Sequence, residues 1–355
     1  MQNNTDIIFE EIIGENGNLG LITLNRPSVL NALNHSMFMS LDKYLKEWEQ
    51  AVSIKAIVIR AAEGRAFCAG GDIRYAYEKG LAKDPSLPHF FRDEYRLNQY
   101  IYHYSKPYIA LMNGITMGGG VGISIHGSHR IGTKRLSFSM PETGIGFFPD
   151  VGATYFLTRL PGKIGFYLGL TGARIPYNDC LAAGLIDQVI AEDSLQDLIN
   201  KLAGASLEKN AEATISDICN QFTVPVEKSV LMEHEAEINA CFSKNTIEEI
   251  FAALENYPSE WCQEVLSVLQ KKSPTSLKIT LRQLQLGKKL NFDECMKLEY
   301  RLTNRFLHNL DFFEGVRAAI IDKDQQPKWQ PSTLEEVKAS NIESYFLPLE
   351  NELIE

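Results

Sequence analysis

"KAIVIRAAEGRAFCAGGDIRYAYE" occupies residues 55–78. Its first part is short, apolar and β-branched and ends on a turn signal, so it reads as a strand. The chain then turns through Gly70 and Gly71 and enters a helical pattern with Asp72 near its start. Adjacent glycines let the backbone come close to a ligand. The first N–H groups of the following helix have no partner inside it, and the helix dipole favours negative charge there. A second stretch repeats the plan. "NGITMGGGVGISIHG", residues 113–127, follows the strand-like "YIALMNG" and sets Gly118, Gly119 and Gly120 before another helix. Either turn alone is also what a tight strand-to-helix connection requires. Neither is a nucleotide loop: G-x-x-x-x-G-K-[ST] is absent, and neither turn spells G-x-G-x-x-G with an acid about 20 residues on.

Around these turns the chain divides by pattern. Up to about residue 190 it reads as mixed α/β, with "LGLITLNRP" and "RLSFSM" as further strands. "MFMSLDKYLKEWEQA" is an amphipathic helix with Met37, Leu41, Tyr44, Leu45 and Trp48 on one face. From about residue 192 the apolar period becomes that of helices. "TIEEIFAALEN" opens on a capping box of Thr246 and Glu249. "SEWCQEVLSVLQ" predicts Trp261, Val265 and Val268 on one face, and "TVPVEK" near 223 is a surface loop. The expected division is residues 1–191 as an α/β core and 192–355 as a helical region.

The 355 residues are 45% hydrophobic and 23% charged, the composition of a globular chain with a sizeable core. A net charge of -10 argues against nucleic acid or an anionic membrane surface as the main partner. It leaves room for an anionic small molecule held by a local patch. No apolar run is long enough to span a bilayer. "MQNNTDIIFEEII" has neither a basic region before an apolar one nor an Arg-rich character, and "ENELIE" is no peroxisomal address. The six cysteines show no C-x-x-C and read as reduced, packed thiols. A cytoplasmic location is therefore expected.

"FSMPETGIGFFPDVGAT", residues 138–154, holds Glu142 and Asp150 in an apolar, glycine-rich setting. A carboxylate among Ile145, Phe147, Phe148 and Val151 loses hydration, which is costly unless the group is paired, protonated or used. Two backbone N–H groups converging on one oxygen make an oxyanion hole, and a desolvated carboxylate close by supplies a base or nucleophile. Other candidates are weaker. His126 and His129 lack a third ligand at a recognisable spacing, so no metal is expected. Cys68 has no His near it in sequence to act as its base. The aromatic run "FFRDEYRLNQYIYHY" reads as helix packing.

"RAFCAGGDI" and "NGITMGGGVG" together resemble the paired oxyanion-hole motifs of the crotonase (enoyl-CoA hydratase/isomerase) family, and "LITLNRPSVLNALN" resembles its opening strand and turn. The resemblance runs from about residue 18 to 330. It implies a crotonase-like ββα spiral core followed by a helical C-terminal region. It also implies an acyl-CoA thioester as substrate, with coenzyme A arriving as part of it and no separate cofactor. A homo-oligomer is implied as well.

By the same resemblance the N–H groups of Gly71 and Gly119 are the oxyanion donors, and the backbone of 71–74 (Gly71, Asp72, Ile73, Arg74) meets the CoA portion. The hydratases of the family use two glutamates. One corresponds to Glu142; at the place of the other this chain has Gly122. "MPETGIGFFPDVGAT", "SPTSLKITLRQL", "LEYRL" and "DFFEGVRAAIIDKDQQPKW" are similar to a subgroup that hydrolyses short 3-hydroxyacyl-CoA thioesters. That subgroup has an acid at Asp150 and a substrate-contacting Glu at Glu94. The pattern of residues also allows Glu94 to be a solvated carboxylate beside Arg92 and Arg96. The expected activity is thioester hydrolysis through Glu142 and Asp150. The alternatives are hydration or isomerisation of an enoyl-CoA, and a non-catalytic acyl-CoA or RNA-binding scaffold.

Overall fold

The computed structural model describes residues 5–207 and 209–353. Part of each terminal segment read above for address signals lies outside them. The strands are β1 (Ile7–Ile12), β2 (Asn18–Leu24), β3 (Ile54–Ala61), β4 (Ala66–Cys68), β5 (Tyr108–Met112), β6 (Ile115–Met117), β7 (His129–Thr133), β8 (Ser137–Ser139), β9 (Ile175–Pro176) and β10 (Gln188–Ile190). The chain forms two compact units that interleave in sequence. The first runs to Gly71 and adds Leu97–Phe138 and Ile175–Ser229. The second takes Asp72–Arg96, Ser139–Arg174 and the chain from Val230 onward.

In the first unit a six-stranded sheet has the order β1-β2-β3-β5-β7-β10. β1 is antiparallel to β2, and the remaining neighbours are parallel. Both faces are covered, which is why strands such as "IKAIVIRA" read as continuous apolar runs rather than alternating ones. One face packs Leu21, Val58, Leu111 and Ile131 with Leu198 and Leu202 of the helix Leu195–Ala203. α1 (His35–Gln50) starts at Asn34, whose side chain accepts the Met37 N–H, and buries Met37, Phe38, Leu41, Leu45 and Trp48.

A smaller sheet, β4-β6-β8-β9, carries the glycine turns. A short strand, β4, therefore stands between the long strand β3 and the first turn. Ala66 pairs with Ile115 and Cys68 with Thr116. That register lays the two turns side by side.

The second unit is built almost wholly of helix. It includes α2 (Ile73–Leu81), most of α3 (Leu87–Tyr102), the single turn α4 (Ala153–Phe156), α5 (Pro274–Gly287), α6 (Phe292–Phe306) and α7 (Leu310–Val316). Phe147 lies at its centre, with ring centroids 4.6 Å from Phe148, 5.3 Å from Phe306 and 5.4 Å from Phe312. No strand is assigned after β10 among the described residues. The change of period near residue 192 marks a change of secondary structure, whereas compact packing draws 72–96 and 139–174 into the helical unit.

Two local expectations have definite outcomes. The capping box of Thr246 and Glu249 forms, each side chain accepting the other's backbone N–H. In the helix Glu260–Leu269 the buried face is Cys262, Val265, Leu266 and Leu269, while Val268 is 41% exposed. Trp261, Val265 and Val268 satisfy the spacing rule, but the stripe that packs is centred one position further along.

Candidate active site

Two candidate backbone donors lie in the first unit. Gly70 (φ +114°) and Gly118 (φ +47°) occupy conformations that an L side chain rarely adopts. A Cβ on Gly120 would stand 2.3 Å from the Cys68 carbonyl oxygen, so glycine there lets the second turn lie against the first. A Cβ on Gly70 would stand 3.7 Å from the Gly119 nitrogen. Gly119 begins the one-turn helix Gly119–Gly122, so its N–H has no acceptor within that helix. Gly71 bridges Leu33 through the neighbouring Gly70 carbonyl, which accepts the Leu33 N–H at 2.9 Å. Among the described residues no hydrogen-bond acceptor is found for the N–H of Gly71 or Gly119. Gly122 is buried and brings no side chain.

The candidate acids lie in the second unit. Glu142 opens the 3-10 turn Glu142–Ile145 after Pro141 and is 6% exposed. The turn is gripped from the helical region. Thr143 accepts the Ser273 N–H through its carbonyl at 3.3 Å. Gly146 is left-handed at φ +68°, and a Cβ there would stand 2.1 Å from the Asp311 carbonyl oxygen. Asp311 in turn accepts from the Ser273 hydroxyl at 2.6 Å and the Gln330 N–H at 2.7 Å. Ser273 of "SPTS", Asp311 of "DFFEG" and Gln330, just after "QQPKW", thus hold the turn that Glu142 opens.

Asp150 sits just before Val151, a β-branched residue at φ +53°, and Gly152 at φ +89°. A residue held there costs on the order of 1–3 kcal/mol and persists only where its surroundings over-determine it. Glu299 on α6 does so, accepting the N–H of Gly152 at 2.7 Å and of Thr154 at 2.8 Å. The Gln283 amide on α5 donates to the Pro149 carbonyl and to Thr154 Oγ1, both at 2.7 Å. The Asp150 carboxylate accepts from the Tyr95 hydroxyl at 2.7 Å, and Tyr95 is 2.6 Å from Thr303 Oγ1.

Glu94 on α3 is 3% exposed. The solvated alternative for this residue is excluded: the carboxylate points inward while Arg92 pairs with Asp93. Among the described residues neither Glu94 Oε1 nor Glu142 Oε2 has a hydrogen-bond partner. Asp72 caps α2 by accepting the Tyr75 N–H, Ile73 begins that helix, and Arg74 donates to the Ile320 carbonyl at 3.2 Å.

Four carboxyl groups, Glu94, Glu142, Asp150 and Glu299, are therefore buried in one unit. Burial raises Glu94 well above the carboxylate range, and Asp150 and Glu142 add to it. Burial does the same to Glu142, reinforced by Asp150 and Glu299 and opposed by Glu142's own backbone N–H and by Lys272. Burial pushes Asp150 up to about 7 against the Tyr95 hydrogen bond. It pushes Glu299 to about 8 against its bonds to Thr154 and Gly152. Lys272 is itself lowered by burial; its ammonium lies 3.2 Å from where a Cβ on Gly144 would stand. Burial thus moves the titration of these carboxyl groups toward neutral pH, where general acid–base chemistry operates.

Tyr95, Gln283, Glu299 and Thr303 were not singled out from sequence. A signal existed: on α6 the buried stripe Cys295, Leu298, Glu299, Leu302, Thr303, Phe306 contains two polar residues one turn apart.

The pattern of the enoyl-CoA hydratase/isomerase family matches residues 19–346. The chain belongs to that family. It is 45% identical over 352 residues to the mitochondrial 3-hydroxyisobutyryl-CoA hydrolase of Homo sapiens, covering 98% of this chain and 91% of that protein. Among solved structures it is similar to a carnitinyl-CoA dehydratase from Mycobacterium thermoresistibile, with TM-score 0.91, 34% identity and 99% of each chain covered. It is also similar to an enoyl-CoA hydratase from Rhodobacter sphaeroides 2.4.1, with TM-score 0.87 and 39% identity over 97% of this chain and 98% of that one. The spiral α/β core and helical C-terminal region are the fold of this family, as the glycine turns implied.

Proposed function

We propose that this protein hydrolyses a short 3-hydroxyacyl-CoA thioester, 3-hydroxyisobutyryl-CoA, to the free acid and coenzyme A, a step of valine degradation. The observation that carries the reading is the pairing of Glu142 with a built Asp150 while position 122 is a buried glycine. Addition of water to a C=C needs a base for the water and an acid for the α-carbon; Gly122 offers neither. The human relative of near-equal length is named for this hydrolysis.

In this mechanism the N–H groups of Gly71 and Gly119 hold the thioester oxygen as it becomes an oxyanion. One such donor is worth about 2.7–4 kcal/mol of barrier. Ionised Glu142 attacks the carbonyl carbon to give a mixed anhydride, or takes a proton from the attacking water. Asp150 orients water and carries protons. The CoA thiolate leaves with little acid assistance, since a thiol pKa is about 8.5. Glu94 accepts the 3-hydroxyl, and Gly71, Asp72, Ile73 and Arg74 meet the CoA portion through their backbone.

A second reading, hydration of an enoyl-CoA, is favoured by the similarity to the Rhodobacter sphaeroides enoyl-CoA hydratase. Glu142→Ala tests the first. Thiol release from 3-hydroxyisobutyryl-CoA should vanish while CoA affinity stays within a few-fold; near wild-type release would remove Glu142 from the chemistry.

No helix among the described residues is long and apolar enough to cross a membrane. All six cysteines are free and buried, which suits a reducing compartment, and we place the protein in the cytoplasm as a homo-oligomer without nucleic-acid partners. The human relative is named mitochondrial, so fractionation and sedimentation are the corresponding tests.

A further inference from the structure

We infer that Thr303 and Tyr95 form a two-hydroxyl chain that holds Asp150 and lets it change protonation state without losing a hydrogen bond. The inference rests on the reading of Asp150 as the proton-handling acid of a thioester hydrolase. It also gives "LEYRL" and the residues after it a task.

The geometry is closed. Tyr95 is fully buried, its ring fixed edge-to-face against Tyr300 at 6.5 Å and tilted against Phe91 at 6.4 Å. Its hydroxyl stands 2.7 Å from Asp150 Oδ2 and 2.6 Å from Thr303 Oγ1. A phenol carries one hydrogen, so the order of donation is dictated. With Asp150 ionised, the carboxylate only accepts: Tyr95 O–H donates to Oδ2, and Thr303 O–H donates to the Tyr95 oxygen. With Asp150 protonated on Oδ2, the order reverses by hydroxyl rotation alone. The carboxylic O–H donates to the Tyr95 oxygen, and Tyr95 O–H donates to Thr303 Oγ1. No bond to hydrogen breaks within the chain, and both states of Asp150 keep a partner.

The backbone is clamped from the same helix. Glu299, one turn before Thr303 on α6, takes the N–H groups of Gly152 and Thr154. α6 therefore fixes both the main chain beyond Asp150 and, through Tyr95, its side chain. Tyr95 and Thr303 are positioning residues; they act through Asp150.

The charged and titratable surroundings define what the chain must oppose. Glu94 on α3, Glu142 on its 3-10 turn and Glu299 on α6 are acids that feel the charge of Asp150, and the Lys272 cation acts on Glu142. Tyr95 is the neutral donor that favours ionised Asp150. Burial, with Asp150 and Glu299, holds the phenol itself well above its usual range, so it remains a donor throughout.

The test is a pH titration of the buried carboxyl groups by infrared difference spectroscopy, alongside the pH profile of thiol release, on wild type, Tyr95→Phe, Thr303→Val and Thr303→Ser. Removing Tyr95 O–H takes a partner from both states, so the Asp150 midpoint rises by the difference between a bond to a charged and one to a neutral group, about 1 pH unit. Tyr95→Phe should show that rise in both readouts. Thr303→Val should shift the same way by less, and Thr303→Ser should match wild type. A Tyr95→Phe protein with reduced turnover and an unmoved midpoint overturns the chain and leaves Tyr95 as packing. If Tyr95→Phe does not fold, Thr303→Val decides by the same titration, and an unmoved midpoint there overturns the proposal. Absence of thiol release from wild type would defeat the hydrolase reading separately, since the infrared midpoint does not depend on turnover.

Discussion

Glu299 on α6 accepts the backbone N–H of Gly152 at 2.7 Å, two residues beyond Asp150. Its other oxygen takes Thr154 at 2.8 Å. The acid-bearing loop, with Val151 at positive φ, is held by a side chain from a distant part of the sequence. Glu299→Gln can keep one of these bonds but turns an NH2 toward the other donor. The expected cost is about 1–3 kcal/mol of stability together with a fall in thiol release. Thermal unfolding at pH 8 checks it; an unchanged Tm would mean that Glu299 does not secure the loop.

The glycine turns make a different prediction. Gly120→Ala places a methyl 2.3 Å from the Cys68 carbonyl oxygen, where backbone meets backbone and nothing flexible yields. The turn must shift and Gly119 with it. Turnover should fall by about 10²–10³-fold, the range for loss of one oxyanion donor. Steady-state kinetics with a circular dichroism control measures this, and an active Gly120→Ala enzyme would place the oxyanion elsewhere.

Much of this site was legible in the sequence because its chemistry contradicts its surroundings. Glu142 and Asp150 stand out among Phe147, Phe148 and Val151, and the glycines at 70, 71 and 118–120 interrupt strand-to-helix connections. What could not be read was partnership. Tyr95 meets Asp150 across 55 residues and Thr303 across 208. Local periodicity identifies an element without saying what packs on it. The interleaving of the two units escaped for the same reason: the change of pattern near residue 192 says nothing of which unit residues 72–96 and 139–174 join.

The carboxyl cluster gives a pH prediction. Asp150 is raised to about 7 by burial, and burial together with Asp150 raises Glu142 well above the carboxylate range. The working mechanism needs ionised carboxylates. kcat/KM for thiol release should therefore climb through pH 7 and collapse toward pH 5. A profile flat from pH 5 to 8 would show that neither acid titrates in the way its setting demands.

The same burial should appear in stability. Glu142 has a folded-state pKa above its unfolded one, so between the two values the folded protein binds more protons. Stability conferred by the neutral group is complete at low pH and is lost as pH rises through the folded value. Glu142→Gln removes the charge but keeps the shape. It should raise Tm relative to wild type at pH 8 and leave it nearly equal at pH 5. Calorimetry at the two pH values decides, and a Glu142→Gln protein less stable than wild type at pH 8 would contradict the assignment of a strained, buried charge.

On the proposed reading, Gly122, with Glu142 and Asp150, commits this member of the family to thioester hydrolysis. The most direct measurement follows two reactions on one preparation: thiol release from 3-hydroxyisobutyryl-CoA and loss of the enoyl absorbance of crotonyl-CoA. An unpaired buried acceptor at Glu94 costs about 1–3 kcal/mol when the acyl chain lacks its hydroxyl, which adds to the absence of a second hydratase acid. Rapid thiol release with little hydration is expected. Rapid hydration of crotonyl-CoA with no thiol release would contradict it and make the chain a hydratase despite Gly122.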